Sequence, residues 1–564
     1  MKHIRIAAVA FIAAVAFIAA VALLPGAAGA GNGPTTERAS VDSAELEATG
    51  GDSTEAAVSA NGRFIAFTSA AANLVASDGN AKLDVFVRDR ATGTTERVSL
   101  DSDEVEGNDD SDMAAISGDG RFVSFRSSAN NLVASDTNGG HDVFVRDRLN
   151  GTTERISVDS SETQANNSSG MSAITPDGRY VAFGSIASNL AAPDGAGWDF
   201  FVRDRQDGTT EIASIPGPGA AGSGVHAESW VSISDNGNIV VFDSPAKLTT
   251  TDDSNLSDVF MRDRIAGTTT LLSVSSAEVQ SDYPSYYAVI SGNGLFVAFV
   301  SGATNLVPDD PSGYDTFVRD LAAGTTERVS VSSTGVGANS NAVNPTISGD
   351  GRYVAFHSSA TNLGSGDTTA YADVFVRDRL LSITTRVSES TAGAEGDNAS
   401  SEASMSADGG VIAFESVATN LVPDDTNAKA DVFQHAWDID GDGVSDFSDN
   451  CPTVANTDGQ GDDQDGDVAG DACDAAGTGN ADCNQAISSV DSLKILRFNA
   501  SLSVAQSDPC KDIGEVIGSG FKQGDVDCSG GINAVDSLKV LRAVAGLTVS
   551  QQPGCDPPIG PVGP

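Results

Sequence analysis

Asp438, Asp440, Asp442, Asp446 and Asp449 stand at positions 1, 3, 5, 9 and 12 of a twelve-residue loop, and Asp463, Asp465, Asp467, Asp471 and Asp474 repeat that spacing 25 residues later. Alternate residues of a tight loop turn their carboxylates inward together, and a hard cation such as calcium takes about six to eight oxygens. Without the cation the gathered charges repel and the segment loosens. A solvated acidic linker has no reason to keep one spacing twice. Calcium is therefore the expected cofactor.

A second duplication, with a step of 45 residues, keeps the same offsets in Asn480, Asp482, Asn484, Ser488 and Asp491, then in Asp525, Asp527, Ser529, Asn533 and Asp536. Loop position 8 is Ile487 and Ile532, placed to pair the two loops through apolar side chains. The Leu-x-x-Leu that follows each loop puts leucines on one face of a helix. Paired calcium loop–helix units fit this pattern. All six cysteines lie between Cys451 and Cys555, and an even count in an exported chain favours disulfides. Cys483 to Cys510 and Cys528 to Cys555 are both 27 apart, which suggests one bridge per half, although four cysteines allow three pairings.

The stretch from Asp438 to Pro452, with Asn450-Cys451-Pro452 and the closing Asp471 to Asp474, resembles the thrombospondin type 3 repeat. That resemblance implies bound calcium and a Cys451–Cys473 bridge, and the central acidic stretch is shorter here than in the family. The duplicated segment resembles a dockerin domain over about residues 479 to 548, with cysteines extending the unit to residue 556. The family binds two calcium ions and grips a cohesin partner at its loop–helix junctions. Carried over by position, those contacts fall at Ser489-Val490 and Ala534-Val535. Asn480 at the first loop position and Gln485 where glycine is usual depart from the family pattern, so the second loop matches better.

The rest of the chain is built from one period. Asp84-Val85-Phe86-Val87-Arg88-Asp89-Arg90 returns with its first residue at Asp142, Asp199, Asp258, Asp315, Asp373 and Asp431, in steps of 57 to 59 residues. A fixed period of this size means units that bury their apolar faces against one another. Each period holds four short strand signals, with Gly-Asp-Gly (118–120) and Leu-Asn-Gly (149–151) supplying tight turns. Four antiparallel strands per period make a propeller blade. The last period stops after its third strand, and the missing Thr-Thr-Glu-Arg segment sits at the other end, at Thr35 to Ser40. An N-terminal strand completing the last blade removes the open edges. The expected fold is an all-β seven-bladed propeller over residues 35–436. A small calcium-binding segment over 437–475, an α-helical dockerin-like domain over 479–556 and a disordered tail over 557–564 follow it.

Ser-x-Asp-Gly-Arg-[Phe/Tyr]-[Val/Ile]-Ala-Phe followed by Asp-Val-Phe-Val-Arg-Asp resembles the TolB-like, WD-repeat-like propellers; Ser117 to Phe125 and Ser348 to Phe356 carry it. Such propellers serve as binding platforms and as parts of hydrolases, so the resemblance implies a fold and no single activity. The connections from strand two to three and between blades are long and emerge together, which makes that face the candidate binding surface. Acids present in every blade, such as Asp78 and Asp136, read as turn caps, and Arg88 and Asp89 as a blade-to-blade lock. Residues that break the repeat are better ligand candidates. Trp198, Trp230, His226, Tyr283, Tyr286 and Tyr287 cluster in the third to fifth blades, where aromatic faces can stack on sugar rings or pack between blades.

A net charge of -46 excludes nucleic acid and anionic membranes as main partners and favours cations. Lys2, His3 and Arg5, an apolar run from Ile6 to Leu24 and Ala28-Gly29-Ala30 read as a signal peptide over residues 1–30. No Gly-x-Ser-x-Gly elbow, His-Glu-x-x-His pair or phosphate-binding glycine loop is present. The expectation is a secreted, non-catalytic binding or scaffold protein. Its ring takes a polysaccharide or protein ligand, and its tail docks to a cohesin-type or surface partner. The rival reading is an extracellular carbohydrate-active enzyme, a glycoside hydrolase or polysaccharide lyase.

Overall fold

Phe64–Ser69 and Asp84–Asp89 are apolar on both faces and are buried almost throughout, while the outer strand Thr94–Arg97 alternates exposed and buried residues. That is the pattern of a sheet whose middle strands are sandwiched between neighbours and whose last strand meets water. The computed structural model describes residues 35–192, 197–217, 230–310, 313–364 and 366–436, together with a short backbone pair, Val516–Ile517 with Phe521–Lys522. Seven four-stranded antiparallel sheets stand around one axis.

In six of the seven blades a phenylalanine of strand two stacks on one of strand three, and in blade four Phe242 and Phe260 meet tilted at 6.3 Å. Phe67 and Phe86 lie 5.8 Å apart between centroids, and Phe125–Phe144, Phe183–Phe201, Phe299–Phe317, Phe356–Phe375 and Phe414–Phe433 repeat the pair at 5.8 to 6.1 Å. Each such pair adds about 0.5–1.5 kcal/mol beyond its buried area. Blades are clamped to one another by arginine. Arg148 of blade two lies 4.5 Å from the ring centroid of Phe64 in blade one and pairs with Glu96 there at 2.5 Å. Arg205 repeats the clamp on Phe122 and Glu154. The turn beneath leaves no room for a side chain: Gly120 has φ +76°, and a Cβ there would sit 2.1 Å from Phe64 Cδ2.

The first strands of successive blades lie side by side around the axis. Their tight turns join in a necklace of backbone bonds at the short-turn end: Gly118 N–H donates to Pro176 O (3.0 Å), Asp235 to Gly292 (3.0 Å), Gly349 to Ala407 (2.7 Å) and Ala407 to Ala60 (3.0 Å). The equivalent donor between blades three and four falls on Pro176, which has no N–H.

The seventh blade consists of Ser400–Met405, Val411–Ser416 and Asp431–Ala436, closed by Thr35–Arg38. The register pairs Thr35 with Ala436 and Arg38 with Phe433. Arg38 lies 2.9 Å from Glu47, 3.2 Å from Asp425 and 3.6 Å from Asp431, and Ser40 donates to Asp431 at 2.6 Å. The N-terminal strand thus closes the ring as its sequence requires.

Candidate functional site

The first strand of a blade begins on the long-loop face, and it is kinked there. The register with strand two slips between Thr54 and Ala57, Asp112 and Ala115, Gly170 and Ser172, Tyr286 and Val289, Val343 and Thr346, and Ser401 and Ser404. At each slip one non-glycine residue takes a left-handed backbone: Glu55, Met113, Met171, Tyr287, Asn344 and Glu402, with φ from 35° to 57°. This costs about 1–2 kcal/mol per residue, and bulges of this kind re-aim side chains beside binding sites. The six residues ring the mouth of the central channel.

Beneath them lies a position where the repeat abandons its own sequence. Strand two reads Phe-X-Ser in every blade, and X is Thr68, Arg126, Gly184, Asp243, Val300, His357 and Glu415, seven different residues. Two of these side chains, His357 and Glu415, meet the bulge of the next blade. The Glu402 N–H faces His357 Nδ1 at 3.5 Å, and the Glu415 carboxylate accepts from the Glu55 backbone N–H and from Ser401 Oγ (2.9 Å). Glu55 Oε2 accepts from Thr68 Oγ1 and from the Met113 N–H, both at 2.8 Å. Arg126 is held by Asp112 through two bonds of 2.7 and 2.6 Å.

An acidic arc therefore spans blades seven and one. Burial first, then the charges of Glu415 and Glu55, push the Glu402 carboxyl up to about 7. Burial holds His357 down at about 4, so its ring is neutral. The ordinary glutamate value is 4.5, so between that pH and about 7 the folded state holds a proton the unfolded chain has released. The contribution is present below that window and lost as pH rises through it. Glu402→Gln is expected to raise Tm at pH 8, by about 1–2 kcal/mol of stability, and to change little at pH 4. A difference independent of pH would show that Glu402 titrates normally.

Opposite in the ring lies an aromatic arc. Trp230 is 41 % exposed and meets Tyr287 edge-on at 6.3 Å, Tyr287 meets Tyr286 at 6.3 Å, and Tyr283 meets Tyr314 at 6.1 Å. Trp198 is half-buried, and its Cε3 lies 3.6 Å from where a Cβ on Gly184 would stand. The structure thus gathers Trp230, Tyr286 and Tyr287 at the mouth on the long-loop face, and Trp198 lies beside Gly184 of its own blade, outside that group. His226 lies outside the described residues. Glu55, Glu402, Glu415 and His357 carried no motif, but aligning the repeats on Phe-X-Ser would have exposed X as the variable place.

The repeated acids are structural. Asp78, Asp84 and Glu106 surround Arg97 at 3.5, 3.3 and 2.8 Å. The turn-capping role expected of Asp78 falls instead to Asn80, whose Oδ1 accepts from the Lys82 N–H at 2.8 Å. Asp89 does cap its turn, accepting from the Ala91 N–H (3.0 Å), and pairs with Arg63 of its own blade. Arg88 alone reaches the inter-blade segment, at Glu45 and the Asp42 carbonyl.

Residues 430–459 match the family model of the thrombospondin type 3 repeat. The match begins just before the ring's last strand, spans it, and takes in the first acidic loop, Asp438 to Asp449, with Cys451. No curated protein matches the chain. Among solved structures it is similar to TolB from Acinetobacter baumannii (13% identity, 54% of this chain, 58% of that chain, TM-score 0.32). It is also similar to the oligogalacturonate lyase of Vibrio parahaemolyticus (10%, 72% and 97%, 0.43) and to the propeller domain of the Trilobed protease from Pyrococcus furiosus (11%, 65% and 91%, 0.41). Likenesses at these identities say nothing of activity. The metal-loop residues from Asp438 to Asp536, the six cysteines and the partner contacts Ser489, Val490, Ala534 and Val535 lie outside the described residues. The donor set itself, carboxylates and amide or hydroxyl oxygens without sulfur or imidazole, suits calcium. No helix among the described residues is long and apolar enough to cross a membrane.

Proposed function

We propose that this is a secreted, calcium-binding, non-catalytic binding protein whose channel mouth takes an extracellular glycan. The acidic tail, carrying the dockerin-like segment over 479–556, docks to a cohesin-type or surface partner. The observation that carries this reading is the Phe-X-Ser ring. Stability alone would keep one good residue in all seven places, and the mouth instead has an acidic arc facing an aromatic one. Sugar rings stack on Trp230 and Tyr287, and the carboxylates of the other arc accept their hydroxyls. The last strand ends at Ala436 on the short-turn face, the end away from the mouth.

Screening the full chain on a glycan array tests the reading. The ligand bound by the native protein is expected to lose at least tenfold in affinity, about 1.4 kcal/mol, in a Trp230→Ala/Tyr287→Ala double variant. Equal binding by both proteins, or none by either, removes the glycan assignment. One observation favours a carbohydrate-active enzyme as the second reading: Glu402, protonated near neutrality, lies beside the carboxylate of Glu415, as an acid–base pair requires. Release of new reducing or unsaturated ends that stops in Glu402→Gln would establish it.

A further inference from the structure

In six blades a loop aspartate, a strand aspartate and the residue of the following inter-blade bridge converge on one place. The bridge positions are Glu47, Glu106, Gln164, Gln280, Gly337 and Glu395, facing Val41, Leu100, Val158, Val274, Val331 and Glu389. In blades one and seven three carboxylates converge and one arginine lies among them. Arg97 is within 3.5 Å of all three acids of its blade, and Arg38 within 3.6 Å of its three.

Blade six has the same three acids, Asp367, Asp373 and Glu395, and its arginine, Arg386, is displaced from them. Glu389 occupies the place that is aliphatic in the other five, and Arg386 Nε faces it at 3.9 Å, with Nη1 at 3.6 Å from Glu395. Asp373 is 1 % exposed, and its Oδ2 has no hydrogen-bond partner; neither has Asp367 Oδ1. One oxygen from each of the three acids lies within 4.8 Å of the others. Glu395 is oriented by the hydroxyls of Thr368 and Thr369 at 2.8 and 2.9 Å. Four carboxylates thus face one guanidinium, where blades one and seven have three to one.

We propose that Asp367, Asp373 and Glu395 form a divalent cation site for calcium, separate from the acidic tail, in which the ion supplies the positive charge that Glu389 draws away. A buried carboxylate oxygen without a donor is costly, and a hard cation satisfies the two such oxygens of Asp367 and Asp373 while also binding Glu395, with water completing its shell. Burial first, with Asp367 and Glu395 nearby, pushes Asp373 up to about 6, so without the ion a proton is held there only in mildly acidic solution.

The test uses the full chain, whose tail sites are common to every variant, and counts bound calcium by equilibrium dialysis at pH 7.5. Glu395→Gln is expected to bind one ion fewer than the native protein. Glu389→Val restores the aliphatic residue and returns Arg386 to the trio. It should also lose one ion while keeping the ring's Tm, so misfolding cannot account for the loss. Terbium gives a second signal, since Tyr371 lies in the loop between the two aspartates: emission excited through tyrosine should fall in Tyr371→Phe. An unchanged calcium count in both Glu395→Gln and Glu389→Val overturns the site.

Discussion

Replacing Arg38 by alanine is expected to destabilise the ring by about 3–5 kcal/mol, because it leaves the buried carboxylates of Asp425 and Asp431, with the partly exposed Glu47 beside them, without their cation. Deleting Thr35 to Val41 should go further. It removes the Arg38 lock together with four ladder pairs, the Ser40–Asp431 bond and the buried Ala39 and Val41, and it leaves the edge of Asp431–Ala436 open. Calorimetry of the full chain reads both changes. Arg63→Ala is the control: its ion pair with Asp89 involves a side chain 42% exposed and screened by water, so the loss should be small beside that of Arg38→Ala. If Arg38 and Arg63 cost the same, or if the deletion leaves the ring's melting unaltered, closure by the N-terminal strand is not what holds the blades together.

Chelation should act on the other part of the molecule. Twenty metal-ligand positions between Asp438 and Asp536 place carboxylates, amides and hydroxyls close together, and ion binding is what offsets their repulsion. At a free ion concentration 100 times Kd, each site contributes about 2.7 kcal/mol. Removing calcium with a chelator is therefore expected to abolish or sharply lower the tail's transition in a calorimetric scan. The ring's own transition should move little, since a weak blade-six site near half-saturation contributes only about 0.4 kcal/mol. Equal loss in both transitions would contradict the division of the chain at residue 437. An unchanged tail would contradict the ion.

Much of this architecture is legible along the chain because it is periodic. Phe86 and its repeats recur at one offset, and a residue sandwiched between identical neighbours meets the same environment every time. The displaced Thr-Thr-Glu-Arg segment at Thr35 told how the ring closes, since a strand missing at one end and present at the other has one economical resolution. The acidic loops are legible for a different reason: their ligands are near in sequence, so spacing alone brings them together.

The channel mouth is not legible in that way. Glu55 and Glu402 are 347 positions apart and meet because the ring joins its last blade to its first. The Glu402 carboxyl is raised by burial and by the charges of Glu415 and Glu55, and neither influence exists before the ring closes. The same holds in blade six, where Glu389 matters through the arginine it displaces. Sequence fixes what repeats and what is locally spaced, because those properties survive in an extended chain. Which exceptions to the repeat become a site depends on the neighbours that tertiary structure supplies, since a charge is costly or useful only against what surrounds it.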